Sequence, residues 1–383
     1  MKLRLTVLFV CAACVISCQS GPEPAIARDL QAVVDAAVAD SEAVHGVALH
    51  VDSPLLGIDW EGAAGMADPE NAVPMTPAHP VRIASNTKTF VAATILRLWE
   101  EGELDLDDPI AYYLPHVHYQ MLRMDGYDPE AMTIRHLLTH TSGLYDHSEG
   151  EEYEAAIISD PMHRWTRAEQ FEAAIEWGDP HGKPGEFYTY CDTGYVLLGG
   201  VIEGVTGKSL AEAVRELTGY EELGLQSTWW EILEPKPEGT LDRAHQFLGE
   251  IDTADFDASY DLYGGGGIVS TVGDMARFYR ALFTGGVFAS PGTVDVMLTT
   301  VEGAVPLPGG GPPDYRIGIW VVEVEGFEAY RHTGFFGTLA NYVPELDLTV
   351  SVTVNQNQNG GALYEITRQA IELAAAEATV AAN

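Results

Sequence analysis

The chain has 383 residues, 46% of them hydrophobic, with 57 acidic against 20 basic side chains and a formal net charge of −37. That composition describes a globular protein able to bury a core. Its acidity argues against nucleic acid or an anionic membrane surface as a partner and is compatible with a salty environment. The length exceeds a usual single-core domain, so one large domain or two intertwined ones are expected.

Met1-Lys-Leu-Arg4 is followed by an uncharged apolar run from Leu5 to Ser17. A membrane span needs roughly 20 residues, so residues 1–17 are expected to be a secretion signal. The run ends in Val15-Ile16-Ser17-Cys18, which resembles a bacterial lipobox, where the cysteine is lipidated after cleavage. Ordinary signal cleavage is the alternative. Residues 18–25 would be the lipidated cysteine and a tether. Gln19 stands where an inner-membrane retention Asp would stand. The expected location is therefore the periplasm or outer membrane, with the anchor at Cys18 as the membrane contact. Cys11 and Cys14 also lie in this leader, leaving Cys191 alone in the body, so no disulfide framework is expected.

Ala25 to Val44 is amphipathic and reads as a helix; Val47–Val51 and Leu55–Trp60 read as strands. A loop with Pro69, Pro74, Pro77 and Pro80 leads into R-I-A-S-N-T-K-T-F-V-A-A-T-I-L-R-L-W-E-E (82–101), a helix with a buried face. Ser85 at its start could be an N-cap. Lys88 is less expected there, because the helix dipole disfavours a cation in the first turn. Three positions apart, the two share a face and could instead be a nucleophile and its activating amine.

Residues 103–240 are mostly helical in pattern, with Thr166 and Glu169 at capping-box spacing. From about 261 the pattern returns to strands: Tyr315–Glu325, Glu328–His332 and Leu348–Val354. A short Pro/Gly loop spans Pro306–Pro313, and Gly361–Ala378 closes as an Ala-rich helix. The expected fold class is α/β, a mainly antiparallel sheet flanked by helices. Its body would comprise residues 26–105 and 241–383, with an inserted, mostly helical domain at 106–240.

Other chemistries fit poorly. His116-Val-His118 lacks the further acid and His of a zinc hydrolase, and His136 and His140 are not in a His-Glu-x-x-His motif. Gly264–Gly267 has no following Lys-Ser/Thr, and no Gly-x-Ser-x-Gly elbow exists. No metal and no cofactor are expected.

Five stretches carry a resemblance. They are S-N-T-K (85–88), R-H-L-L-T-H-T-S-G-L (135–144), P-G-E-F-Y-T-Y-C-D-T-G-Y-V-L-L-G (184–199), Y-G-G-G-G-I-V-S-T-V-G-D-M-A-R-F (263–278) and R-H-T-G-F-F-G (331–337). In order and spacing they resemble the serine β-lactamase and penicillin-binding protein family. The nearer branch holds class C β-lactamases, D-alanyl-D-alanine carboxypeptidases, D-aminopeptidases and esterases. The resemblance implies a β-lactamase-like fold and an acyl-enzyme on Ser85, with Lys88 removing its proton. It implies that Tyr190, its pKa lowered by nearby cations, relays protons, and that the backbone N–H groups of Ser85 and Phe335 form an oxyanion hole. His332, Thr333 and Gly334 would line the cleft and contact substrate, with Tyr145 a possible wall residue. Gly264–Gly267 and Ser270 are expected to pack and cap, Trp229 and Trp230 to sit in the core or at the rim, and Cys191 to be a small buried apolar group.

Two departures matter. Asp192 stands where the family usually has Asn, and His332 where β-lactamases have Lys. Asp192 could cap the helix beginning near Thr193. Facing the cleft, its carboxylate could only accept hydrogen bonds, which would disfavour β-lactams and favour simple esters or substrates with a free amino group. The expectation is an exported serine hydrolase of small amides, D-amino-acid peptides or esters, its partners a small-molecule or peptidoglycan-like peptide substrate. A non-catalytic binding lipoprotein and a true class C-like β-lactamase are the alternatives.

Overall fold

The computed structural model describes residues 25–301, 305–306 and 314–381. The leader, Cys18 and most of the Pro/Gly loop lie outside the described residues. A seven-stranded sheet runs in the order Trp320–Val324, Phe327–Gly334, Thr338–Val343, Leu348–Val354, Gly46–Ser53, Ile58–Asp68, Val73–Pro74. Every neighbouring pair is antiparallel.

Alternation sets the layers. Val47, Leu49 and Val51 pair with Val354, Val352 and Val350 at the sheet centre. These side chains pack on one face against Leu30 and Val34 of helix Ala25–Ala39 and against Ile366, Ala370 and Ile371 of helix Ala362–Ala381. Each fully buried Val or Leu there contributes about 1.5–3 kcal/mol. The opposite face carries Ala48 and Ala340 into a larger core with helix Val272–Thr284 and the helical middle of the chain. That core joins Phe90, Ile134, Leu210 and Met275, so it runs unbroken across positions 105 and 240.

The fold class is the expected one, and both halves of the Thr166–Glu169 capping box are present. Several elements differ. Helices Val272–Thr284 and Gly292–Met297 occupy part of the region expected to be strands. Thr271 accepts from the Asp274 N–H and starts the first of them, a Thr-x-x-Asp signal that outweighs the β-branched residues before it. The first helix ends at Ala39 rather than Val44, and the second strand begins at Ile58 and continues to Asp68. Strand Thr338–Val343 had no expectation, and the alternation from Tyr315 yields a strand only from Trp320. Trp229 and Trp230 form a buried short strand beside Ile268–Ser270, which also pairs with Val81–Arg82. That small sheet fixes the entry to the Ser85 segment.

Candidate active site

Ser85 lies in the 3₁₀ turn Ala84–Asn86 that leads into helix Thr87–Glu100. Ala84 has φ +46°, a conformation strained for a residue with a Cβ. Asn86 is clamped from two sides: its Nδ2 donates to Thr338 Oγ1 at 3.0 Å, and Tyr279 Oη donates to its Oδ1 at 3.1 Å. Neither the turn nor the helix carries a side-chain cap. The Ser85 hydroxyl instead accepts from Lys88 Nζ at 2.9 Å. Lys88 is fully buried, and its Nζ also reaches the Gly265 carbonyl at 2.7 Å and Asp192 Oδ1 at 2.5 Å. Two of these contacts are hydrogen bonds, and the third is a contact ion pair. Capping does not account for either residue.

Tyr190 presents its ring to Lys88 Nζ at 4.9 Å and stacks on Trp320 at 5.7 Å. Burial, then the charge of Asp192, push its phenol well above the usual value, while contact with the Ser85 hydroxyl pulls the other way. This reverses the expectation of a lowered pKa: one cation cannot offset burial plus a carboxylate, and His332 supplies no second cation. Asp192 opens helix Asp192–Thr206, whose N-cap is Cys191, and makes no cap itself. Its carboxylate lines the cleft, held by Lys88 and by Ser148 Oγ at 3.3 Å. Burial raises its pKa, but Lys88 and its hydrogen bonds prevail and the net shift is downward. Cys191 is buried, as expected of a small apolar group.

Thr333, Gly334 and Phe335 form the facing wall. A Cβ on Gly334 would stand 2.2 Å from the Ile83 carbonyl, so glycine is required here for the strand to approach the Ser85 segment. The first bond of the 3₁₀ turn runs from Asn86 N to Ile83 O, and the turn after the wall strand closes from Gly337 N to Gly334 O. Those bonds use neither the Ser85 nor the Phe335 N–H, the two groups expected to receive an oxyanion.

Two expected substrate contacts lie elsewhere. His332 is 0% exposed and does not line the cleft. Its Nδ1 bonds the Thr333 carbonyl, so Nε2 is the acceptor for Tyr315 Oη at 3.0 Å, and burial drives its pKa down to about 3. It is a neutral part of the wall's foundation. Tyr145 packs on His181, its Oη donates to the Glu149 carbonyl, and it is not among the residues lining the cleft. Its position in a Gly-Leu-Tyr turn gave no hint of that direction.

The cleft, about 690 Å³, also takes residues that sequence reasoning missed. Tyr153, Tyr260 and Phe336 give it an apolar wall beside Ala84. His147, 3% exposed, bonds Thr193 Oγ1 through Nδ1 at 2.9 Å, and burial lowers its pKa to about 4 against the pull of Asp192. Behind it, Asp146 accepts from the Ser148 N–H at 3.0 Å; burial, then Asp192, push its carboxyl up to about 7. Asp261 lines the floor, and the same two causes push it up to about 6. The glycine run makes this floor possible. A Cβ on Gly265 would touch Asp192, and one on Gly266 would lie 2.0 Å from Asp261 Oδ1. Among the described lining residues the charged ones are Glu154, Asp192 and Asp261, all acidic. Among the described residues no group of His, Cys, Asp or Glu has the arrangement of a metal site.

The family model described as Beta-lactamase matches residues 25–375. Human mitochondrial serine beta-lactamase-like protein LACTB is 26% identical over 59% of this chain and 51% of its own length. Esterase EstB of Burkholderia gladioli is 34% identical over 55% and 53%. The chain thus spans about half the length of these relatives. Among solved structures, a D-stereospecific amidohydrolase from Streptomyces sp. aligns with TM-score 0.74 and 26% identity, over 88% of this chain and 97% of the other. D-amino acid amidase from Ochrobactrum anthropi SV3, complexed with D-phenylalanine, aligns with TM-score 0.76 and 25% identity, over 91% and 98%.

Proposed function

The chain belongs to the β-lactamase family, and on that premise we propose that it is an exported, lipid-anchored serine hydrolase of small amides, D-amino-acid peptides or esters. The observation that carries the reading is the 2.9 Å contact between Lys88 Nζ and Ser85 Oγ at the floor of an apolar cleft. In the productive state the Lys88 amine takes the Ser85 proton as Oγ attacks the acyl carbon. The carbonyl oxygen becomes an oxyanion facing the free N–H groups of Ser85 and Phe335. Tyr190 keeps its proton at neutral pH and is placed to donate it to the leaving nitrogen or oxygen. Water then cleaves the acyl–Ser85 ester with the same groups in reverse order.

The acidic lining bears on substrate choice. Among the described residues, a substrate with a free carboxylate would meet Asp192 and Asp261 with no lining Lys or Arg to receive it. That favours amidase or esterase action over carboxypeptidase or β-lactamase action, and the amidase neighbours and the esterase relative agree with it by name. The test is intact-mass analysis after mixing with a p-nitrophenyl ester or a fluorescent penicillin. Turnover of the ester with transient acylation at Ser85 is expected; no adduct with either probe would leave a non-catalytic binding protein. Anchoring is tested separately. Wild type expressed in a bacterium should partition with membranes, and Cys18→Ser should release it or block its maturation.

A further inference from the structure

Of the cleft's carboxylates, Asp192 is already engaged by Lys88 and Ser148, and Glu154 lies exposed on the rim helix Glu151–Ser159. Asp261 is different. It sits on the floor in the same cavity as Ser85, and among the described residues its charged neighbours Asp192, Lys88, Arg82 and Glu231 act on it through space, with no hydrogen bond or contact ion pair.

The position is built and held. Arg82, three residues before Ser85, is 4% exposed and ties down the segment that carries Asp261. Its guanidinium donates to the Thr253 carbonyl at 3.1 Å, the Phe256 carbonyl at 2.9 Å and Tyr260 Oη at 3.2 Å, and pairs with Glu231 at 2.7 Å. On the other side the missing Cβ of Gly266 leaves room for the carboxylate, which any larger residue would displace. Tyr260 and Phe336 bring an apolar surface alongside. A fixed carboxylate in a partly desolvated cleft, next to a second carboxylate, is electrostatically incomplete, and a cation entering the cleft would relieve the repulsion.

We propose that Asp261 is a specificity-determining residue that receives an ammonium group of the substrate, so the preferred acyl donors are amides or esters carrying a free amine beside an apolar or aromatic side chain. The free amine is thereby assigned to Asp261 and not to Asp192, whose charge already faces the Lys88 cation. The proposal rests on the acyl-Ser85 reading.

The experiment compares phenylalanine p-nitroanilide, both enantiomers, with its desamino analogue 3-phenylpropionyl p-nitroanilide, using the full chain and Asp261→Asn. At pH 7.5 the wild type is expected to prefer the better amine-bearing enantiomer by about tenfold or more in kcat/KM. Asp261→Asn should bring that ratio to about one while hydrolysis of the desamino compound stays within about threefold of wild type. Turnover of p-nitrophenyl butyrate by the variant confirms that it is folded. A wild-type ratio near one, or a ratio that survives Asp261→Asn, overturns the proposal while leaving the acyl-Ser85 reading intact. Absence of ester turnover and of any acylation in the wild type would remove both.

Discussion

Lys88 Nζ and Asp192 Oδ1 stand 2.5 Å apart at the buried end of the cleft, with the lysine fully buried and the aspartate side chain 19% exposed. The carboxylate therefore stands against the same amine that contacts the Ser85 hydroxyl. Asp192→Asn keeps an acceptor for Lys88 but removes the charge, at an expected cost of about 1–3 kcal/mol in stability. It also adds an amide N–H able to donate to the carbonyl of an acyl-amide substrate. The cephalosporin-to-ester ratio of kcat/KM should rise by roughly tenfold, measured in parallel assays. An altered melting temperature with an unchanged ratio would make Asp192 a structural partner of Lys88 alone.

Ser85→Ala should abolish covalent labelling and ester hydrolysis. Because the hydroxyl caps nothing, the stability change should stay within about 0.5 kcal/mol, below the usual loss for an N-cap. Intact mass and thermal melting on one preparation check both halves. Wild-type turnover in the variant would remove Ser85 from the chemistry.

Tyr190→Phe separates proton donation from attack. A phenol held protonated matters most when the leaving group is basic, so amide acylation should fall by about 10²–10⁴. Acylation by a p-nitrophenyl ester, whose leaving group departs without a proton, should fall far less. The p-nitrophenol burst, read against single-turnover amide cleavage, gives the comparison. Equal losses would mean that the ring only positions Lys88 and Ser85.

Asp146 makes stability depend on pH in a stated direction. Its pKa is raised from 3.8 to about 7 in the folded protein, facing Asp192, Lys88 and the imidazole of His147, whose Nδ1 lies 3.6 Å from Oδ1. Between those values the native state holds a proton that the unfolded chain has released, so stability falls as pH rises through this window. Asp146→Asn cannot ionise. Relative to wild type it should gain roughly 1–3 kcal/mol between pH 5 and pH 8, read from denaturant titrations at the two values. Parallel curves for the two proteins would show that Asp146 ionises freely.

The grouping of Ser85, Lys88 and Tyr190 was legible because the three sit in short motifs whose spacing is itself the geometry. Ser85 and Lys88 are one helical turn apart, and Tyr190 lies just before a helix start. The central strands were legible from their alternation. The apolar wall and the carboxylates behind it were not. Asp261 reaches the cleft only because Gly266, five residues onward, leaves it space, and Asp146 and His147 depend on a turn whose direction no local pattern encodes. His332 and Tyr145 show the reverse case. Motif position put them at the cleft, but neither lines it: His332 is buried beneath the wall strand, and Tyr145 is bound up with His181 and Glu149.

The pairing of the first strand of the sheet with the last has a consequence for how the protein comes into being. Gly46 N–H bonds Asn355 Oδ1 across 309 positions, and Ser53 Oγ bonds the Leu346 carbonyl across 293. The valine-rich strand near residue 50 thus waits, during synthesis, for a neighbour made about 300 residues later. Contacts so distant form slowly, since a very long loop must close before they repay it. Until then the sheet lacks its middle, and strand Phe327–Gly334 has no fixed place against Ser85. The nascent chain should stay open, chaperone-accessible and inactive until strand Leu348–Val354 has emerged.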